Sequence, residues 1–443
     1  MQERDDYRAA RGPAGPEIPF AVGFACGLVA LAVLHALLPS SLDREIELVR
    51  LVRDLAQEEY VREVDPRKLV DDALRGMVGG LDRYSRYYGP EEVAEVNRET
   101  EGEYRGIGVV FRAPVIDGVI RFALPDSPAD RAGLGVGDRI TSIDGNPVEL
   151  MDEEEFRRYL HGDEELLMVA EGREGTRREV VVRPEAVIDP TVRHARMLDP
   201  ELGIGYLAIV SFSRRTADEF DEWTGWLREQ GLHALVLDLR ANPGGILDSA
   251  IQIADRFVET GTIVSTRSRN EAHSTQASRE KTSWARLPLI VLVNGDSASA
   301  SEVLVGALQD HRVGVVAGEP TYGKGAVQKI HRFEDHRAIV KLTSSYYFTP
   351  AGRRIEREDD GRGGAEWNGV TPDLLVKISA SVRREIHRFL RTYSPPPDAL
   401  AELEAWEREE GVELVARAPL DPQLDAAVDL LRGKAPACVD HAD

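Results

Sequence analysis

Between Gly203 and Val376 short apolar runs alternate with amphipathic stretches, and this alternation constrains the fold more than any other feature of the chain. The runs ALVLDLR, LIVLVN and VGVVAG are mainly apolar, as expected of strands that are covered on both faces. Helical patterns lie between them, including one predicted from about Ser299 to Gln309. Strand–helix–strand order of this kind predicts an α/β core over residues 185–376, with a largely parallel or mixed sheet and helices on its faces.

The composition excludes one large class of partner. The chain has 443 residues, enough for two or three domains, and a formal net charge of −22. Binding of nucleic acid requires clustered cations, so we expect no nucleic-acid partner. The two cysteines, Cys26 and Cys438, lie in an apolar run and near the C-terminus, and we expect no disulfide between them.

An uncharged apolar segment lies near the N-terminus. Residues 18–38 read IPFAVGFACGLVALAVLHALL, close to the length of about 20 residues that crosses a bilayer as a helix. Arginines 4, 8 and 11 precede it and favour a cytoplasmic N-terminus for residues 1–17. The segment therefore predicts a single-pass signal anchor in a bacterial-type cytoplasmic membrane, with the rest of the chain extracytoplasmic. A cleavable signal peptide and a buried core helix are the alternatives.

Three further regions differ from the α/β core in their pattern of apolar, glycine and charged residues. Residues 41–99 have helical spacing, with Leu48, Leu51, Val52 and Leu55 on one side. Residues 104–184 contain short apolar strands and frequent glycines, which predicts a small β-rich domain with one helix from Asp152 to Leu160. Residues 377–443 contain SPPPDA, a predicted linker, and then acidic helical segments.

The β-rich region contains the run DSPADRAGLGVGDRITSIDGNPV at residues 126–148. This run resembles the central stretch of a PDZ domain. The resemblance implies a loop whose backbone N–H groups hold the C-terminal carboxylate of a peptide, while the next strand pairs with that peptide. The residues that match the loop are Arg105, Gly106, Ile107, Gly108 and Val109.

Three motifs in the α/β core carry potential chemistry. In LVNGDSASASE, residues 292–302, a buried strand ends at a turn whose serines could be nucleophiles or simply helix caps. In LDLRANPGG, residues 237–245, glycines follow another strand and could present a backbone N–H into a cleft. GEPTYGKGAVQ, residues 318–328, resembles a phosphate loop, but Gly325 stands where Ser or Thr is required and a strand follows, so we expect no nucleotide site.

In order and spacing these motifs resemble the carboxy-terminal processing, or tail-specific, proteases from about Leu48 to Val376. The resemblance implies a core of the ClpP/crotonase type with a PDZ domain inserted before it. It also implies Ser299 as nucleophile, Lys324 as base and Gln328 as the residue that orients the lysine. Backbone N–H groups of Ala300 and of Gly244 or Gly245 would form the oxyanion hole, and the choice between these two glycines stays open.

A lysine can act as a base only when it is neutral, so the burial of Lys324 must depress its pKa. Gln328 could orient the amine by accepting a hydrogen bond from it. No histidine lies in a recognisable triad context and no metal-ligand spacing occurs, so we expect neither metal nor cofactor. Ser297 and Ser301 are the alternative nucleophiles, and we expect Glu302 and Asp310 to be structural or solvated rather than catalytic.

The sequence as a whole predicts a membrane-anchored serine endopeptidase that cuts protein substrates with free, apolar C-termini. A second copy of the chain or a regulatory protein is a further expected partner. The alternative is an inactive scaffold on the same fold that retains a working PDZ domain.

Overall fold

The computed structural model of the chain describes residues 41–276, 284–357, 369–411 and 417–433. The predicted anchor at residues 18–38 and the segment before it lie outside these ranges. Within the described ranges, no helix combines the length and the apolar character needed to cross a membrane.

The helices and strands follow one another in an order that can be given in three parts. Up to residue 101 they are α1 (Ser41–Glu59), α2 (Pro66–Gly79), β1 (Arg86–Tyr88) and α3 (Val93–Glu101). The middle part contains β2 (Glu103–Gly106), β3 (Val109–Phe111), β4 (Ile120–Ala123), α4 (Pro128–Arg131), β5 (Arg139–Ile143), β6 (Asn146–Pro147), α5 (Glu153–Leu160), β7 (Leu166–Glu171), β8 (Arg177–Val182) and β9 (Glu185–Ile188). The last part contains β10 (Val192–Asp199), β11 (Ile204–Ile209), α6 (Thr216–Glu229), β12 (Ala234–Asp238), α7 (Leu247–Asp255), β13 (Thr262–Ser268), β14 (Ala272–Gln276), β15 (Leu289–Val293), α8 (Ala300–Asp310), β16 (Val315–Gly318), β17 (Ala326–Phe333), β18 (Ala338–Phe348), β19 (Leu374–Leu375), α9 (Ala380–Leu390), α10 (Pro397–Glu410) and α11 (Pro422–Leu431).

Helices α1 and α2 occupy the region in which helical spacing predicts them. The carboxylate of Asp65 accepts the N–H of Arg67 at 2.8 Å and so caps the start of α2. The apolar residues that suggest one side of α1 are more than half exposed in the structure, namely Leu48, Leu51, Val52 and Leu55.

A six-stranded sheet forms the centre of the α/β core, in the order β10-β11-β12-β15-β16-β19. All neighbouring pairs from β11 to β19 are parallel, and β10 joins the edge in the antiparallel direction. The mixed, mainly parallel sheet predicted from the strand–helix alternation is therefore confirmed.

The two faces of this sheet are covered by different parts of the chain. Successive residues of a strand point to opposite faces, and in β12 Leu237 packs with α6, α7 and α8 on one face. On the other face Val236 packs with Ile386 of α9 and Leu424 of α11. Two of the helices that follow residue 376 thus bury apolar side chains against the sheet that carries the candidate site.

A second, antiparallel sheet has the order β1-β18-β13-β14, and β17 pairs with β18. Its β17 strand begins directly after Gly325, so this sheet carries the segment with Lys324 and Gln328. The strand predicted to follow the segment that resembles a phosphate loop is present as β17.

The region between β2 and β9 forms a β-rich module with its own apolar core, in which Ile107, Ile140 and Phe156 are buried. Helix α5 begins after Asp152, whose carboxylate accepts the N–H of Glu155 at 2.7 Å, and it ends at Leu160 as predicted. Helix α10 packs Leu403 and Trp406 against a different side of this module.

Candidate active site

Ser299 lies at the turn between the fully buried strand β15 and helix α8. Its backbone has φ 58° and ψ −115°, a region that residues other than glycine rarely adopt. The side chain is partly exposed, because the turn lifts it out of the packed sheet edge. This strained strand-to-helix turn is the geometry in which hydrolases present a reactive hydroxyl.

The two neighbouring serines of the SASAS run are buried completely. The hydroxyl of Ser297 donates to the carbonyl of Leu239 at 2.8 Å, and that of Ser301 donates to the carbonyl of Asn242 at 3.0 Å. Both hydroxyls therefore hold the turn against the segment that follows β12, and Ser299 is the serine of the three that reaches solvent.

The Pro-Gly-Gly segment after β12 lies directly beside this turn. A Cβ at Gly244 would come within 2.8 Å of the Ser299 Cβ, and one at Gly245 would come within 2.0 Å of the Phe212 carbonyl oxygen. Both glycines have positive φ values, 97° and 146°. Only glycine can occupy these positions without moving the backbone next to Ser299.

The two glycine amides differ in their partners. The N–H of Gly244 donates to the side-chain oxygen of Asn242 at 2.9 Å. In the part of the chain that the structure describes, the N–H of Gly245 has no acceptor. The N–H of Ala300 belongs to the first helical residue of α8 and has no intrahelical partner either. Gly245 and Ala300 thus offer two free donors near the Ser299 side chain.

Lys324 follows a glycine and precedes another, and its main chain is held close to the start of α8. A Cβ at Gly325 would lie 2.2 Å from the backbone nitrogen of Glu356, so the loop packs tightly against a neighbouring segment. Burial lowers the pKa of Lys324; Arg83 also lowers it, while the carboxylates of Glu356 and Glu302 oppose that shift. A lowered pKa is the direction of shift that a lysine base would need.

The lysine amine does not bond to the serine hydroxyl in this structure. Among the described residues, no hydrogen bond joins the amine of Lys324 to Ser299 or Gln328, and the Nζ atom lies 5.0 Å from the centre of the Tyr84 ring. Catalytic contacts are often long in enzymes without substrate. The expected hydrogen bond from the lysine to Gln328 is not formed; the amide of Gln328 donates to the Tyr84 carbonyl at 2.6 Å instead.

The carboxylate of Glu302 connects the serine turn to the lysine loop. One of its oxygens accepts the backbone N–H groups of Ser299 and Lys324, both at 2.8 Å. The other accepts the hydroxyl of Thr321 and the N–H of Gly323, both at 2.6 Å. Burial raises the pKa of Glu302, and these four hydrogen bonds oppose the rise. The position of Glu302 three residues after the serine signals a capping box, but only the fold reveals its second set of donors.

A cavity of about 280 Å³ opens beside the serine. Ser299, Gly245 and Gln328 line it, and so do residues that sequence reasoning did not single out, including Tyr88, Phe212, Ile246, Leu247, Ile330, Ile339, Lys341 and Tyr347. None of the histidines that follow α8 is among them: His311 contacts the Thr262 carbonyl at 2.7 Å. Asp310 pairs with Arg353 at 2.5 Å. Within the described ranges, no group of three or more potential ligands is arranged to hold a metal ion.

The loop from Arg105 to Val109 also has the geometry of a carboxylate receptor. The carbonyl of Ile107 accepts from Ala129 at 2.9 Å and that of Gly108 accepts from Leu124 at 2.8 Å, so both carbonyls point into the module. Over the described residues, the N–H groups of Ile107 and Gly108 find no acceptor. Arg105 is held by the Gly162 carbonyl at 2.8 Å. Unpaired backbone donors in a buried loop suit a carboxylate ligand.

Comparisons with known proteins match these two parts of the chain. The family model described as peptidase family S41 matches residues 203–376, and a PDZ domain model matches residues 119–171. The carboxy-terminal-processing protease of Bartonella bacilliformis is 33% identical over 333 residues, which cover 72% of this chain and 72% of that protein. A probable CtpA-like serine protease of Staphylococcus haemolyticus is 30% identical over 337 residues, covering 75% of this chain and 65% of that protein.

Among solved structures, the photosystem II D1 C-terminal processing protease aligns with 77% of this chain and 90% of its own, at 27% identity and a TM-score of 0.42. The sequence relatives and the two family matches confirm the resemblance seen in the motifs. The chain belongs to the carboxy-terminal processing proteases, the PDZ-containing serine peptidases of family S41.

Proposed function

We propose that this peptidase cleaves protein substrates near their C-termini with Ser299 as nucleophile and Lys324 as general base. The observation that carries the proposal is the shared oxygen of Glu302, which accepts the backbone N–H groups of both residues at 2.8 Å. One rigid acceptor therefore sets the distance between the serine turn and the lysine loop. The lysine amine, which lies 5.0 Å from the centre of the Tyr84 ring, has to turn toward the hydroxyl to act as its base.

The reaction follows from the charges and donors around the turn. A neutral Lys324 removes the proton of the Ser299 hydroxyl, which attacks the carbonyl carbon of the scissile peptide bond. The oxyanion is stabilised by the N–H groups of Ala300 and Gly245, since the Gly244 N–H is already donated to Asn242. The protonated lysine then gives its proton to the leaving amine, and water hydrolyses the acyl-enzyme.

Gln328 acts in this scheme through the position of its amide. Its nitrogen donates to the Tyr84 carbonyl, so its amide oxygen remains as the atom that can accept a hydrogen bond from the lysine amine. A neutral acceptor orients the amine without restoring its positive charge.

The PDZ domain supplies the preference for chain ends. The free N–H groups of Ile107 and Gly108 bind the α-carboxylate of the substrate, and the edge of β3 pairs with the residues before it. Amidation of the substrate C-terminus should therefore slow cleavage.

The test uses the full chain and an unfolded polypeptide with an apolar C-terminus. Ser299→Ala and Lys324→Met should each reduce kcat by at least about a thousandfold. Lys329→Met, at an exposed lysine in β17, is the matched control and should cleave normally. Cleavage that survives Ser299→Ala would refute the assignment, and a wild-type chain that binds free C-termini but cleaves nothing would favour an inactive scaffold.

We propose in addition that residues 18–38 anchor the protein in a bacterial-type cytoplasmic membrane, with the peptidase on the outer side. The support is the uncharged apolar run and the arginines before it. Alkaline extraction should leave the full chain with the membrane, and protease added to spheroplasts should digest the peptidase region. Release by alkali or protection from the protease would contradict this topology.

Two finer proposals concern architecture. We propose that the core follows the ClpP/crotonase spiral, supported by its helix-connected parallel strands, and an experimental structure superposed on a crotonase protomer tests this. We also propose that copies of the chain associate, which light scattering on the detergent-solubilised protein tests by its mass.

A further inference from the structure

Lys341 is a second lysine beside Ser299, and no motif in the sequence points to it. It lies in β18, where the alternation of a strand places Ile339 and Lys341 on one face, and Tyr347 follows in the same strand beyond a register shift. All three line the cavity that contains Ser299. The strand register therefore directs the Lys341 side chain toward the space next to the nucleophile.

The neighbouring strands place matching residues on the same face. Lys341 is paired with Ile330 of β17 and with Arg86 of β1. Directly opposite residues of paired strands share a face, and Ile330 also lines the cavity. The wall around Lys341 is thus mainly apolar, with Arg86 as the cross-strand neighbour.

The ammonium of Lys341 lacks an anionic partner. In the described portion of the chain it has no hydrogen bond and no carboxylate within ion-pair distance. Arg86 is occupied by Glu92 at 3.1 Å. Glu99 lines the same cavity, but no ion pair joins it to Lys341.

A partly buried cation without a partner is unfavourable, and the direction of the Lys341 pKa is consistent with this cost. Burial lowers the pKa of Lys341, and the nearby charges of Lys324 and Arg86 lower it further while Glu99 opposes them. An anion that enters the cavity would relieve this cost. Substrate is the species that must enter, because the cavity adjoins the hydroxyl of Ser299.

We propose that Lys341 is a specificity residue that binds a carboxylate of the substrate chain in the cavity beside Ser299. The proposal rests on the function proposed above and extends it to a preference near the scissile bond. The carboxylate is either an acidic side chain or the free C-terminus of a short substrate. A carboxylate paired with a partly buried lysine replaces water on both groups, and among the described residues that line the cavity Lys341 is the one cationic side chain.

The experiment compares matched peptides on the full chain. One pair carries Glu or Gln at positions flanking the cleaved bond, and a second pair carries a free or an amidated C-terminus. Wild type should favour the carboxylate member of at least one pair by about tenfold to a hundredfold in kcat/KM, as charge-assisted hydrogen bonds do. Lys341→Met should abolish that preference, so that the carboxylate and the neutral member of the pair are cleaved with the same kcat/KM.

Lys341→Arg keeps the charge and should keep the preference. Lys329→Met, an exposed lysine in the adjacent strand, is the control and should behave as wild type. Should the methionine variant fold poorly in a thermal melt, Lys341→Gln takes its place. A free C-terminus can also bind the PDZ loop. For the pair with a free or an amidated C-terminus, only the part of the preference that is lost in Lys341→Met is therefore assigned to Lys341.

Binding separates this proposal from the catalytic assignment. In the Ser299→Ala chain, fluorescence anisotropy should show that the carboxylate peptide binds more tightly than its neutral counterpart. The double variant Ser299→Ala, Lys341→Met should bind the two peptides equally. An unchanged preference in Lys341→Met would overturn the proposal. Loss of cleavage of neutral peptides in both Lys341→Met and Lys341→Arg would also overturn it and would assign the lysine to the chemistry. A wild type that cleaves nothing yet binds carboxylate peptides through Lys341 would refute the peptidase assignment alone.

Discussion

Replacement of Glu302 by glutamine tests whether one buried carboxylate positions both the serine and the lysine. The carboxylate accepts from Ser299 and Lys324 at one oxygen, and from Thr321 and Gly323 at the other. Glutamine keeps one acceptor oxygen and puts an NH₂ group in place of the other. The less costly orientation directs this NH₂ toward Thr321, whose hydroxyl can turn to accept, and leaves the N–H of Gly323 unpaired.

The magnitude follows from these contacts. One unpaired buried donor costs about 1–3 kcal/mol, and weakening the two remaining bonds from charged to neutral adds roughly 1 kcal/mol. The free energy of unfolding should therefore fall by about 2–4 kcal/mol, which lowers Tm by several degrees. Because the strained turn at Ser299 loses its charged acceptor, kcat should fall by about a hundredfold with KM little changed.

Calorimetry and steady-state cleavage of one peptide measure the two effects together. Glu319→Gln is the matched control, since Glu319 pairs with the partly exposed Arg383 at 2.8 Å and contacts neither candidate catalytic residue. It should keep its kcat and lose at most about 1 kcal/mol. A Glu302→Gln chain that loses stability but retains kcat within twofold would refute the positioning role.

Further predictions concern the glycine turn beside Ser299, the pKa of Lys324 and the buried ion pair between Arg240 and Asp421. Gly245→Ala should abolish cleavage, measured as kcat, because the alanine Cβ would lie 2.0 Å from the backbone oxygen of Phe212. If this variant still cleaves, the Gly244–Gly245 turn takes no part in the reaction. The pKa of Lys324 is lowered by burial, so kcat/KM should rise with pH as the amine loses its proton, through a midpoint below that of an ordinary lysine. Glu356→Gln should move this rise in kcat/KM to lower pH, because the charge of Glu356 raises the pKa of Lys324. An unchanged pH profile would contradict the assignment of Lys324 as the titrating base. Asp421→Ala should destabilise the chain by about 3–5 kcal/mol in denaturant unfolding, since it removes a partner at 2.6 Å from the fully buried guanidinium of Arg240, and a change below about 1 kcal/mol would contradict this.

The sequence was informative about the fold where local pattern and burial agree. The apolar run LIVLV predicted β15, because a strand that is covered on both faces has no solvent-facing polar side. The apolar spacing of α1 predicted the helix but not its surroundings, and its leucines are exposed. The segment after residue 376 was expected to form acidic helices, and its amphipathic pattern could not reveal that α9 and α11 cover one face of the central sheet.

By itself, the sequence determined the family, the α/β core and the PDZ domain, and it nominated Ser299 and Lys324, because linear motifs carry residue types in order and spacing. Only the tertiary structure distinguished Ser299 from its buried neighbours Ser297 and Ser301. It also separated Gly245 from Gly244, whose N–H is occupied by Asn242.

The contributions of Glu302 and Lys341 likewise depended on the folded chain. Three of the four donors to Glu302 come from a loop about twenty residues away, and Lys341 reaches the cavity through the register of three strands. Hydrogen-bond partners and strand register join distant segments, and no local pattern in the sequence encodes them. The lysine and the serine could be nominated from the sequence, but the carboxylate that aligns their backbones became visible only when the two segments met in space.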